Sequence, residues 1–236
     1  MNGELRALGL VHGLLLGLLL ASPMVAPDLL PWAVEALFIL GGFQLRLADR
    51  RWDLRGGPLG WISHIRMAPR RLLPWAAAAV VALIAGRMDD AQAILSAALL
   101  CELLVYPVCA HLLGRLGRPV IGGLLVLLIL GIGAAASEPM RYIVAFVIGM
   151  SSCLFWLRGP DGDGRALALA AAGVGAAIVA PLLLPATLPF AFLAGTVCAT
   201  LALAHLSVLR QRPVPWRPDG QPVAKRGLWP IQARLP

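Results

Sequence analysis

Apolar residues in this chain come in long unbroken runs, and charged residues gather in short stretches between them. Strict alternation, the mark of half-buried strands, is missing from those runs. A helix needs about 20 apolar residues to cross a hydrocarbon core roughly 30 Å thick. Eight runs approach that length: 7–25, 29–48, 72–86, 91–113, 119–136, 141–157, 165–184 and 186–209. The run 72–86 is the shortest, and it either recruits interfacial residues to cross or re-enters on the side it came from. The pattern predicts an all-α fold, a polytopic transmembrane helix bundle of eight spans over 1–209. A Pro- and Arg-rich tail over 210–236 follows, where proline density forbids regular helix.

Composition agrees. Of 236 residues, 59% are hydrophobic and 14% charged, against roughly 45–50% and about 25% in soluble domains. The net charge of +8 would suggest nucleic acid in a soluble protein, but here its distribution argues otherwise. Eighteen of the twenty Lys and Arg residues fall on one side of the eight-span arrangement, leaving Arg87 and Arg141 on the other. Basic loops stay in the cytoplasm. The expectation is a cell inner-membrane protein with both termini cytoplasmic, and no nucleic-acid partner. The first 26 residues, an apolar region ending in "ASPMVA", have the outline of a secretory signal, but Glu4 ahead of the apolar region is atypical, so a retained first helix is expected.

Small residues recur every four positions at Gly9, Gly13 and Gly17, at Ala145, Gly149 and Cys153, and at Ala168 and Ala172. Such spacing lets helix backbones approach closely. It suits packing within the bundle and also association with another membrane subunit. "LLPWA" occurs at 29–33 and again at 72–76. Proline in a first helical turn and tryptophan at an interface explain both copies without duplication.

The stretch 50–71 combines Arg50, Arg51, Arg55, Arg66, Arg70 and Arg71 with Trp52 and Trp61. It reads as a basic interfacial loop on the cytoplasmic face. Its expected contacts are anionic lipid headgroups or a cytoplasmic partner.

Ionisable residues deep in a membrane are costly and mark function by default. Glu102 stands out, roughly 16 Å into its run at 1.5 Å per residue. Tyr106 and Cys109 follow at i+4 and i+7 on the same face. Pro107 removes a backbone hydrogen bond and frees the carbonyl of Leu103. Glu35 lies roughly 9 Å into the second run, with Arg141 or Arg87 as its nearest cation. These four residues, Glu102, Tyr106, Cys109 and Glu35, are the candidates for a substrate path. Each glutamate has a plainer alternative as a hydrogen-bonded tie between helices.

His12, His111 and His205 fall in one layer, but sequence gives depth and not azimuth, so haem between them is not expected. The four cysteines lie inside spans without C-x-x-C spacing, and no metal site is expected. The only lysine, Lys225, is in the tail, which excludes an intramembrane retinal Schiff base. "GPDGDG" before the seventh run resembles the second aspartate motif of prepilin peptidases. The likeness fails where Pro160 stands in place of glycine and where no Ile-Pro-Asn follows Asp49. No nucleotide-binding or hydrolase signature occurs.

Three functions follow from these residues. The first is a permease or translocation subunit for a small or amphipathic molecule, proton-coupled through Glu102. The second is a non-catalytic scaffold or accessory subunit of a membrane complex. The third is a membrane enzyme on a lipid-linked substrate, using Asp49, Asp53, Asp161 and Asp163 at the cytoplasmic face.

Overall fold

The computed structural model describes residues 30–49, 58–132, 137–159 and 163–210. The run 7–25, the residues Arg50, Arg51, Arg55 and His12, and the tail beyond 210 lie outside them. Among the described residues the chain is helical, with no strand. The helices are α1 (Leu30–Ala48), α2 (Pro58–Ile84), α3 (Met88–Leu100), α4 (Tyr106–Gly114), α5 (Arg118–Gly131), α6 (Glu138–Leu157), α7 (Gly164–Leu183) and α8 (Leu188–Arg210). A π-helical turn, Cys101–Val105, joins α3 to α4 without breaking the rod.

Among the described residues, five stretches are long and apolar enough to cross a membrane: Gly60–Ile84, Met88–Gly114, Glu138–Leu157, Gly164–Leu183 and Pro185–Leu206. Arg118–Gly131 is a shorter apolar helix. The apolar helices fit a membrane-embedded protein, in line with the composition.

One boundary differs from the sequence expectation. From Pro58 onward the basic stretch is helix, continuous with 72–84. Pro69 and Pro74 lie inside this helix. Each removes one intrahelical bond, yet packing along one face holds the rod together. Gly60, His64, Ala68, Trp75, Ala78 and Ala82 are buried along that face, the i, i+4, i+7 repeat of a helix with one side covered. The expected short run is therefore the end of a longer helix, and Arg66, Arg70 and Arg71 belong to it.

Gly86, at φ 75°, makes the turn between α2 and α3, a left-handed conformation that costs other residues a Cβ clash. The two helices return along each other as a hairpin. α1 is the most enclosed element, with residues 33–40 all buried. It packs chiefly along α6, and there the backbones touch. A Cβ on Gly149 would fall on the Ile39 carbonyl, and one on Gly42 on the Phe146 carbonyl. Phe38 stacks between Trp75 of α2 and Tyr142 of α6, with centroids 4.1 and 5.2 Å away. α7 packs on α8 and is otherwise largely exposed. Of the small residues expected to pack, Ala145, Gly149 and Cys153 are buried on α6. Ala168 and Ala172 instead face outward, and α7 meets α8 through Gly173 on Cys198 and Ala177 on Gly195.

Candidate functional site

Glu102 sits in the π-helical turn, about midway along Met88–Gly114, and is buried. A π turn bonds i to i+5 and fits one extra residue into its circuit. Here the Tyr106 N–H donates to the Cys101 carbonyl. Pro107 follows and has no N–H to offer. The carbonyls of Glu102 and Leu103, next in line for backbone donors, turn toward α2. The His64 ring lies with Nε2 2.8 Å from the Glu102 carbonyl. The Trp61 indole N–H donates to the Leu103 carbonyl at 2.9 Å. Two side chains of α2 thus satisfy the carbonyls that the irregular helix leaves open, each bond worth about 1 kcal/mol net.

The carboxylate also points at α2. Arg71 Nε donates to Glu102 Oε2 at 2.8 Å. The same guanidinium reaches back through Nη2 to the His64 carbonyl at 2.8 Å and to His64 Nδ1 at 3.2 Å. The same Nη2 lies 3.1 Å from His64 Nε2, so the guanidinium sits against both ring nitrogens, and the Glu102 carbonyl accepts from Nε2 when that nitrogen carries the proton. His64 Nε2 is 3.7 Å from Glu102 Oε2, close enough for a protonated ring to pair with the carboxylate were Arg71 to leave. His64 stacks on the Tyr106 ring at 4.7 Å and 15°. The Tyr106 hydroxyl donates to Asp49 Oδ2 at 3.2 Å, just past the end of α1. A series of contacts therefore runs from Asp49 through Tyr106 and His64 to Glu102 and Arg71, hydrogen-bonded or ionic at each step except the ring stack between Tyr106 and His64.

A second charged cluster lies near one end of the bundle. Arg141 of α6 pairs with Glu35 of α1, whose carboxylate is almost fully enclosed. Arg87 pairs with Asp90 at the start of α3, and Glu138 approaches Asp90.

The structure brings Glu102 and Tyr106 together and leaves Glu35 at the far end. Cys109, one turn beyond Tyr106, is half-buried against the apolar core. Arg71 turns inward, whereas Arg66 and Arg70 are exposed. His111 is exposed, and His205 is buried beside Trp156, ring centroids 6.3 Å apart. Asp163 caps α7 by accepting from the Arg165 N–H, while Asp49 is engaged by Tyr106. Asp53 and Asp161 lie outside the described residues. His64, Trp61 and Arg71 were not read as partners of the Glu102 turn from sequence. The signal for two of them was present: His64 and Arg71 are seven residues apart, on one face of a helix that continues back to Pro58.

Compared with known protein families, curated proteins and solved structures, the chain matches none.

Proposed function

We propose that the protein is a multi-pass membrane permease or translocation subunit for a small or amphipathic molecule, with Glu102 as its coupling acid. The observation that carries this reading is a carboxylate in mid-helix, at a π turn, held across a helix hairpin by Arg71 and His64. Intramembrane acids paired with histidine and arginine are the parts of proton relays, and irregular backbone at mid-depth recurs at transporter sites. Protonating Glu102 removes the charge that holds Arg71. The α2 to α3–α4 contact then loses its ionic component, and the hairpin is free to shift. Asp49 and Tyr106 lead toward this acid from the Arg-rich end, which the charge bias assigns to the cytoplasm of an inner-membrane protein with eight crossings.

The test is proton movement in liposomes carrying the purified protein. A trapped pH dye reports on it while gradients of small amphipathic solutes are imposed one at a time. The expected result is solute-driven proton flux with the native chain and none with Glu102→Gln. Equal flux from the two proteins, or none from the native chain across the panel, removes the reading.

A second reading, the scaffold, is favoured by one observation. Glu35 and Arg141 use a buried charge pair on α1 and α6, two helices already in backbone contact, as a plain interhelical tie. A chain isolated from its native membrane with a stoichiometric second membrane subunit, and without transport of its own, would support it.

A further inference from the structure

The α2 helix divides its cations between two faces. The buried face carries Arg71 to Glu102. The opposite face carries Ile62, Ile65, Arg66, Pro69, Arg70 and Leu73, all exposed. Their spacing of three and four residues makes one continuous stripe. Ile62 is 62% exposed, Ile65 43% and Leu73 72%, so the two arginines are bracketed by apolar side chains above and below.

This mixture does not suit water, where a stripe of isoleucine and leucine gains nothing from exposure. Nor does it suit hydrocarbon, where an arginine costs several kcal/mol on insertion scales, about 2.5–3.5 at the helix centre. It suits the boundary between them. With Gly60–Ile84 read as a crossing, Arg66 and Arg70 lie roughly 9 and 15 Å along the helix from Gly60. From there a long side chain extends back toward the headgroups while its stem stays in apolar surroundings. Two guanidiniums four residues apart then face one stretch of headgroups, and guanidinium pairs bidentately with phosphate oxygens.

We propose that this stripe is a binding site for an anionic phospholipid, with Arg66 and Arg70 holding its phosphate and Ile62, Ile65 and Leu73 lying along its acyl chains. The site stands apart from the permease reading, since it needs no transport. It also adjoins the Glu102 site, because Arg70 and Arg71 are neighbours in sequence, the first exposed and the second turned toward Glu102. A bound phosphate offsets the repulsion among three arginines within two turns of α2.

The experiment uses the full chain, reconstituted in vesicles of phosphatidylcholine containing phosphatidylglycerol, then extracted in mild detergent and examined by native mass spectrometry. The native protein is expected to keep one or more phosphatidylglycerol molecules. The Arg66→Gln, Arg70→Gln double variant is expected to lose at least fivefold of that adduct. Arg66→Lys with Arg70→Lys should keep more of it than the glutamine pair, because a charge persists. Arg115→Gln, which removes an exposed arginine elsewhere, should leave it unchanged. Inorganic phosphate at millimolar concentration separates the two sources of the same chemistry and should not displace the lipid. Equal adducts in native and double-glutamine proteins would overturn the proposal. So would equal loss in the Arg115→Gln protein, or displacement by phosphate alone.

Discussion

Glu102 and Glu35 are both buried, both in helices and both paired with an arginine from another helix, yet their surroundings differ in kind. Glu35 belongs to a regular helix whose backbone is in contact with that of α6, where Gly42 and Gly149 remove the side chains that would hold the two apart. Its partner Arg141 is on the same α6, so the ion pair adds to an interface that packing already fixes. Glu102 belongs to a π turn, and the hairpin across it is held by side chains: an arginine, a histidine and a tryptophan. Close packing is bistable at best and resists small displacements. Hydrogen-bonded contacts to an irregular helix have other partners within reach. The same pair of residue types makes a brace near one end of the bundle and an exchangeable contact at mid-helix.

The largest effect should come from the brace. Gly149→Leu places a side chain where the Ile39 carbonyl lies, and neither backbone has room to retreat. The variant should lose about 3 kcal/mol or more, the upper end of overpacking costs. Thermal unfolding in detergent, read by circular dichroism, would show a fall large enough to leave little folded protein at 25 °C. A melt close to the native one would mean that α1 and α6 are not held at backbone distance.

Next come the arginines, and here the comparison is sharpest. Arg141→Ala strands an enclosed carboxylate whose named partner is gone, a change that costs about 3 kcal/mol when a buried pair is broken. Arg71→Ala strands Glu102 too, but His64 stands 3.7 Å from the same oxygen. The loss there should be smaller, about 1–2 kcal/mol, a charged hydrogen bond in place of a whole pair. Adding Glu35→Gln to the first variant, or Glu102→Gln to the second, should recover part of each loss, since no unpaired charge is then left. Equal losses at the two sites in parallel denaturation would erase the distinction between brace and exchangeable contact.

Much of this was legible in the residues. Runs of apolar positions announce an all-helical fold, because a period of about 20 leaves no other economical element. Glu102 announces itself by being an acid in such a run, and Pro107 by its missing N–H. Gly149 could be marked as a close approach from its spacing with Ala145 and Cys153. The partners were harder to see. Arg71 looks like loop charge because the apolar run stops at Leu72, and hydropathy ends a helix where its polar face begins. The buried stripe from Gly60 to Ala82 is periodic, but Pro69 and Pro74 interrupt it and argue locally for a break. Only packing against α3 and α4 overrides them, and that is information about another helix. Ala168 and Ala172 show the converse: small residues permit close approach without compelling it, and α7 uses Gly173 and Ala177 instead.

The smallest effect concerns the π turn itself. Trp61→Phe keeps most of the ring and removes only the N–H that the Leu103 carbonyl receives. A half-exposed carbonyl without its donor costs about 1 kcal/mol or less, so the melt should shift slightly, by less than either arginine variant. The consequence for shape is more telling than the energy. Pro107 already denies this carbonyl a backbone partner, so the indole is what steadies it in its outward position. Without it, amide exchange measured by mass spectrometry should quicken in peptides covering 101–106 and stay unchanged in α1 and α6. Exchange that rises equally in α1 would mean that the two sites respond as one. The contrast between a packed brace and an exchangeable contact would then have no physical basis.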